Sequence, residues 1–155
     1  MSLLELPVHI QQVDIGYCLP ACAQMALAQL GITAPQVRLA QVLGTRKGVG
    51  AVFSRIEQLA QWHVSVQLKR LASPDDVVVA LTDSQAVIAA IMTTPGLTGW
   101  NNIRTQHAVL ITKVTADQIT YHDPVLAYGP VSALLAEFLL AWGEMDQRMA
   151  LLSRG

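Results

Sequence analysis

The chain has 155 residues, enough for one domain with a real core and too few for two. Hydrophobic residues make up 52% and charged residues 14%, the reverse of what keeps a chain disordered. With a net charge of −1 and no Lys/Arg cluster beyond Arg46-Lys47 and Lys69-Arg70, a nucleic-acid partner is not expected.

A mean hydropathy of +0.40 raises the membrane question. The longest apolar runs, AVIAAIM (Ala86 to Met92) and ALLAEFLLAW (Ala133 to Trp142), fall short of the roughly 20 residues that cross a bilayer. The N-terminal stretch MSLLELPVHIQQ has no basic segment followed by an apolar one, so no signal peptide is expected and the expected location is cytoplasmic. Two cysteines, Cys18 and Cys22, are too few for a disulfide scaffold. Their spacing of one helical turn suits a bridge poorly, so both are expected as thiols.

In chain order, Leu19 to Leu30 is rich in helix formers, apolar on nearly every side and stopped by Gly31, which predicts a buried central helix. A second helix is expected to be capped by Thr33, with Pro35 in its first turn, and to end at Gly44. Gly48-Val49-Gly50 precedes a third helix from about Ala51 to Trp62, and VSVQL (Val64 to Leu68) alternates as a strand. Ser73-Pro74-Asp75-Asp76 starts a short helix running to about Leu81.

The second half turns to β. AVIAAIM predicts a buried strand. Thr93 to Gln106, carrying Pro, Gly and Asn, reads as an exposed loop of functional length. HAVLITKV and QITYHDP form a strand pair turning near Thr115 to Asp117. Ser132 is expected to cap an amphipathic helix ending near Trp142 and Gly143, and RMALLS closes as a strand. Helices first, antiparallel strands after, make the fold α+β, with residues 1–155 as a single domain.

Cys18 stands at the start of the central helix, where free N–H groups and a partial positive charge favour a thiolate and could hold an oxyanion. A small buried residue is the plain alternative. His107 opens a strand directly after the long loop, so its backbone is anchored while its ring can face a cleft. Asp123 lies sixteen residues on, at the far end of the same hairpin, where a carboxylate can hold the His ring in one tautomer. Asp-Pro is also an ordinary turn signal. Gln12, six residues before Cys18, has a side-chain amide that can serve as a second oxyanion donor, and Gln11 is its immediate rival.

Taken together, these segments resemble a family. Gln12-VDIGY-Cys18-LPACAQMALAQLG-Ile32 is similar to the nucleophile segment of the bacteriocin-processing cysteine peptidases, the papain-like domains found at the N-terminus of peptide-exporting ABC transporters. HAVLITKVTADQITYHDP resembles their His strand, turn and Asp-Pro strand end, and SALLAEFLLAWGEMDQRMALL their following helix and closing strand. The 93–106 loop with Trp100 resembles the stand-alone peptidase-like branch. Transporter-linked members usually carry Asp-Cys-Gly at the nucleophile, whereas this chain has Tyr17-Cys18-Leu19, so the resemblance does not extend to the segment that goes with their double-glycine leader specificity. The resemblance selects Gln12 over Gln11. It implies a minimal papain-like fold and a thiol-dependent peptide or amide hydrolase with a Cys18-His107-Asp123 triad and Gln12 as oxyanion donor. No cofactor is needed, and the partner is a peptide or protein substrate. The alternative is a peptide-binding module of the same fold without useful turnover.

Cys18, Cys22, His107 and His122 also make a nominal two-Cys, two-His zinc set, but Cys22 lies inside the helix and the two histidines lack paired-ligand spacing. His122 adjoins Asp123 on a strand, so the two are expected to face opposite ways. His9 and His63 show no evident partner; Trp100, in the loop leading to His107, could pack over the cleft, though a loop anchor is the simpler reading.

Overall fold

In the computed structural model, residues 7–155 are described. The first six, part of the segment read above for an export signal, lie outside the described residues. Six strands form one antiparallel sheet in the order β1-β6-β2-β3-β4-β5. They are β1 (Val64–Lys69), β2 (Ala86–Met92), β3 (Gln106–Val114), β4 (Gln118–His122), β5 (Val131–Leu134) and β6 (Met149–Arg154). The helices are α1 (Cys18–Gln29), α2 (Gln36–Val42), α3 (Pro74–Thr82) and α4 (Leu135–Gly143), with a 3-10 helix over Phe53–Trp62.

The central strands carry continuous apolar runs, Ala86 to Met92, Ala108 to Ile111 and Met149 to Leu152, because both faces of the sheet are covered there. Ala86 and Ile88 of β2, Ala108 and Leu110 of β3, and Ala150 and Leu152 of β6 pack with α1, α2 and the 3-10 helix. The intervening residues Val87, Ala89, Val109, Ile111, Met149 and Leu151 pack with α3, α4 and the loop between β2 and β3. Helix α1 is buried along most of its length, which is why it lacks a polar face. Gly31, at φ +82°, turns the chain out of it, and Arg154 Nε donates to the Leu30 carbonyl at 2.7 Å.

Three local expectations are corrected. The second helix starts after Pro35, with no side-chain cap, so Thr33 does not cap it. The third is a 3-10 helix, because Phe53, Ile56, Leu59 and Trp62 recur every third residue and a three-residue turn puts all four on one side, against the α1 core. Ser132 caps nothing: it lies in β5, where its hydroxyl meets Thr120 across the pair at 2.9 Å, and α4 begins after Leu134. The 93–106 loop also differs from an exposed one, since Leu97 and Trp100 are buried.

Among the described residues no helix is long and apolar enough to cross a membrane. The best-capped helix is α3. Asp76 N–H donates to Ser73 Oγ at 3.2 Å and Ser73 N–H to Asp76 Oδ2 at 2.8 Å, a reciprocal capping box. Ser73→Ala is expected to cost about 1 kcal/mol in urea unfolding, while Thr33→Ala and Ser132→Ala, which remove no cap, are expected to leave α2 and α4 intact by circular dichroism.

Candidate active site

Cys18 is the first residue of α1, and both cysteines are free thiols. His107 is the second residue of β3, at the end of the loop, and shares the strand parity of Val109 and Ile111. Asp123 directly follows β4. Leu110 pairs with His122 and Ile111 with Tyr121, so the register sets Asp123 diagonally across from His107. His107 Nε2 and Asp123 Oδ1 meet at 2.6 Å, and both side chains are buried. The Cys18 thiol and the His107 ring lie close enough for each to shift the other's titration. The hairpin and the start of α1 thus bring His107, Asp123 and Cys18 to one place, with His107 and Asp123 buried and Cys18 partly so.

The electrostatics follow from that arrangement. Burial is the largest influence on each group and opposes charge on all three. It is outweighed. Hydrogen bonds and charge from Asp123 and Cys18 raise His107 to about 9. The His107 ring, with the backbone at Ala108 and Leu19, holds Cys18 below its ordinary value. His107, Trp100 and the Val125 N–H hold Asp123 below the usual carboxylate range. Each group is thus moved toward its charged form: the thiol down, the imidazole up and the carboxyl down. Cys22, one turn below, is fully buried, and its thiol is pushed well above the ordinary value.

A family model described as the Peptidase C39 like family matches residues 4–149. The chain belongs to the peptidase C39-like family. Two solved structures share its papain-like fold. One, described as a C39-like peptidase from Bacillus anthracis, has 16% identity and a TM-score of 0.75, covering 97% of this chain and 99% of its own. The other is the peptidase domain of Streptococcus ComA, a bifunctional ABC transporter of a quorum-sensing pathway, with 15% identity and a TM-score of 0.76, covering 97% of this chain and all of its own. No curated protein sequence matches the chain. Family and fold support a cysteine-peptidase type of chain.

In this C39-like chain Gln12 lies beside the Asp123 turn. Its backbone N–H donates to Pro124 O at 2.8 Å, and its side-chain Nε2 donates to the Asp14 carbonyl at 2.9 Å. Its buried Oε1 has no hydrogen-bond partner among the described residues. Gln11 points outward and donates to Val125 O at 3.2 Å. Among the described residues no group of three or more His, Cys, Asp and Glu side chains is placed to hold a metal ion.

Two contacts are not evident from the sequence. Trp100 donates its indole N–H to Asp123 Oδ2 at 2.8 Å, and its ring lies against that of His107 with centroids 4.8 Å apart. Its position just before the His strand was the available signal, but a loop anchor was the simpler reading. The second is a histidine pair: His9 meets His122 at 2.9 Å between their Nδ1 atoms. His122 thus faces away from Asp123, as strand alternation requires. His9 Nε2 is 2.7 Å from the Leu126 carbonyl, which can only accept. His9 therefore carries its proton on Nε2 and accepts at Nδ1, and His122 donates from Nδ1.

Burial, and then the electrostatic influence of the neighbouring His9 ring, lower His122 to about 4. A group whose folded value lies below the ordinary 6.5 adds stability that is complete above pH 6.5 and lost as pH falls through 4. Replacement by Asn keeps a donor and removes the titration. Wild type is expected to lose on the order of 2–3 kcal/mol between pH 6.5 and 4 that His122→Asn does not lose, read from urea unfolding at a series of pH values.

Proposed function

We propose that this chain is a thiol-dependent peptide or amide hydrolase, with Cys18 as nucleophile, His107 as general base and acid, Asp123 as the residue that orients His107, and Gln12 as an oxyanion donor. The observation that carries the reading is the buried His107–Asp123 pair at 2.6 Å, with the Cys18 thiol acting on the same ring from the start of α1. Residues 1–155 then act as one domain, on a peptide or protein substrate.

With Nε2–H given to Asp123 Oδ1, the His107 nitrogen left to exchange a proton with Cys18 is Nδ1. The Cys18 thiolate attacks the carbonyl carbon, and the negative charge moves to the carbonyl oxygen. The N–H of Cys18 at the start of α1 and the second amide hydrogen of Gln12, not used on Asp14, are the donors for that oxyanion. The tetrahedral adduct collapses as His107 gives its proton to the leaving nitrogen, and the C–N bond breaks to leave a thioester on Cys18. Neutral His107 then takes a proton from water. The resulting hydroxide equivalent adds to the thioester, and collapse of that adduct breaks the C–S bond, releasing the acid and leaving the Cys18 thiolate beside His107, which keeps the proton taken from water, so the thiolate–imidazolium pair is restored. Asp123 keeps its charge throughout and holds the ring.

The test needs no known substrate. Folded protein treated briefly with iodoacetamide at about pH 6 is expected to be labelled at Cys18 about 10²-fold faster than an ordinary thiol, which is almost wholly protonated there. Cys22 is expected to stay unlabelled until the protein is denatured. His107→Ala is expected to slow labelling of Cys18, as mass spectrometry of the digest will show. Slow, equal labelling of both cysteines, or a Cys18 rate indifferent to His107, would count against the hydrolase and favour a peptide-binding module of the same fold.

A further inference from the structure

We infer that Trp100 is a positioning residue for the reaction: its indole N–H fixes the Asp123 carboxylate so that one oxygen stays aimed at His107, and its ring covers the bond between them. This rests on the hydrolase reading and adds to it a fourth residue and the loop that carries it.

A carboxylate turns about its terminal torsion in a broad well, so a single bond from His107 would not fix its plane. Asp123 is almost wholly buried, and each oxygen needs donors. Oδ1 takes two, from His107 Nε2 at 2.6 Å and from the Val125 N–H at 3.0 Å. Oδ2 takes one, from Trp100 Nε1 at 2.8 Å. With both oxygens engaged, rotation would break bonds on both. An indole suits this place because it donates only, whereas a hydroxyl could turn and accept. The ring, tilted 58° to that of His107, leaves Trp100 only 6% exposed and shuts water from that side of the His107–Asp123 bond.

The loop is built to hold the ring there. Its ends are tied by Thr93: Thr105 N–H donates to Thr93 Oγ1 at 2.9 Å, and the Thr93 hydroxyl donates to Ile103 O at 2.8 Å. Leu97 is buried in the core with Phe138 and Trp142, and Arg104 pairs with Glu144 at 3.0 Å. At the tip, Gly99 has φ +85°, and a Cβ there would stand 3.0 Å from the Leu126 side chain, in the turn after Asp123. Glycine at 99 lets the chain bend sharply and press Trp100 against that turn.

The test compares two substitutions that each keep an aromatic ring and remove one indole N–H. Trp100→Phe removes the donor to Asp123. Trp142→Phe removes a donor to the Arg148 carbonyl, at 2.9 Å and away from the site. The readout is the rate of Cys18 alkylation by iodoacetamide against pH. Trp100→Phe is expected to lower the rate at pH 6 about 10-fold and to narrow the pH range of the thiolate–imidazolium pair. Trp142→Phe is expected to lower the melting temperature and leave the profile in place. A Trp100→Phe profile identical to wild type, or one shared with Trp142→Phe, overturns the positioning role while the hydrolase reading stands. Wild-type Cys18 with no His107-dependent reactivity overturns both. If Trp100→Phe does not fold, the assigned Trp100 indole N–H resonance of wild type decides. It is expected to shift with the same midpoint as the alkylation profile, and a resonance that ignores the pair overturns the proposal.

Discussion

Everything in this site depends on keeping one carboxylate charged inside the protein. Asp123 is removed from water, which by itself would protonate it, and three donors hold it ionised: the His107 ring, the Trp100 indole and the Val125 N–H. That fixed negative charge allows His107 to stay protonated despite its own burial. Protonated His107 in turn holds the Cys18 thiol below its ordinary value. Removing any one of the three leaves the others with a desolvated charge or an unpaired ring.

The architecture serves this site by bringing distant backbones to one place. Alternation along the central strands gives two apolar faces, each covered by helices, so the sheet is rigid where His107 and Asp123 emerge from it. Helix α1 lies on β2 and β3 and supplies Cys18 from its first residue. The loop between β2 and β3 returns over the opposite face and sets Trp100 against the site. The segment before α1 is fastened to the turn after β4 by the Gln12 to Pro124 bond and by the His9–His122 pair, which places Gln12 beside Asp123. His9 and His122 thus tie together two stretches that each carry a proposed site residue.

Cys18, His107 and Asp123 were legible in the sequence because each sits at an element boundary marked by local signals: a helix start after a turn, a strand start after a loop, and an Asp-Pro strand end. The hairpin between His107 and Asp123 is short, so their meeting needs only local geometry. Trp100 and the His9–His122 pair were not legible in that way. Trp100 reaches Asp123 across a folded loop, and His9 lies 113 residues from His122, so nothing in the local pattern of either announces its partner. Ser132 misled because a serine before an apolar run suits a helix cap, yet cross-strand bonding to Thr120 and pairing with β4 place it in a strand. The apolar spacing of three from Phe53 to Trp62 was visible and marks a 3-10 helix once the core it faces is known.

The most direct measurement is the charge on His107 in the folded protein, read from the nitrogen and carbon chemical shifts of its ring across a pH titration. The expected result is an imidazolium at pH 7 that loses its proton near pH 9, with the midpoint falling when Cys18 is replaced by Ala. A His107 ring already neutral at pH 7, with a midpoint near the ordinary histidine value and unmoved by loss of Cys18, would contradict the buried thiolate–imidazolium pair.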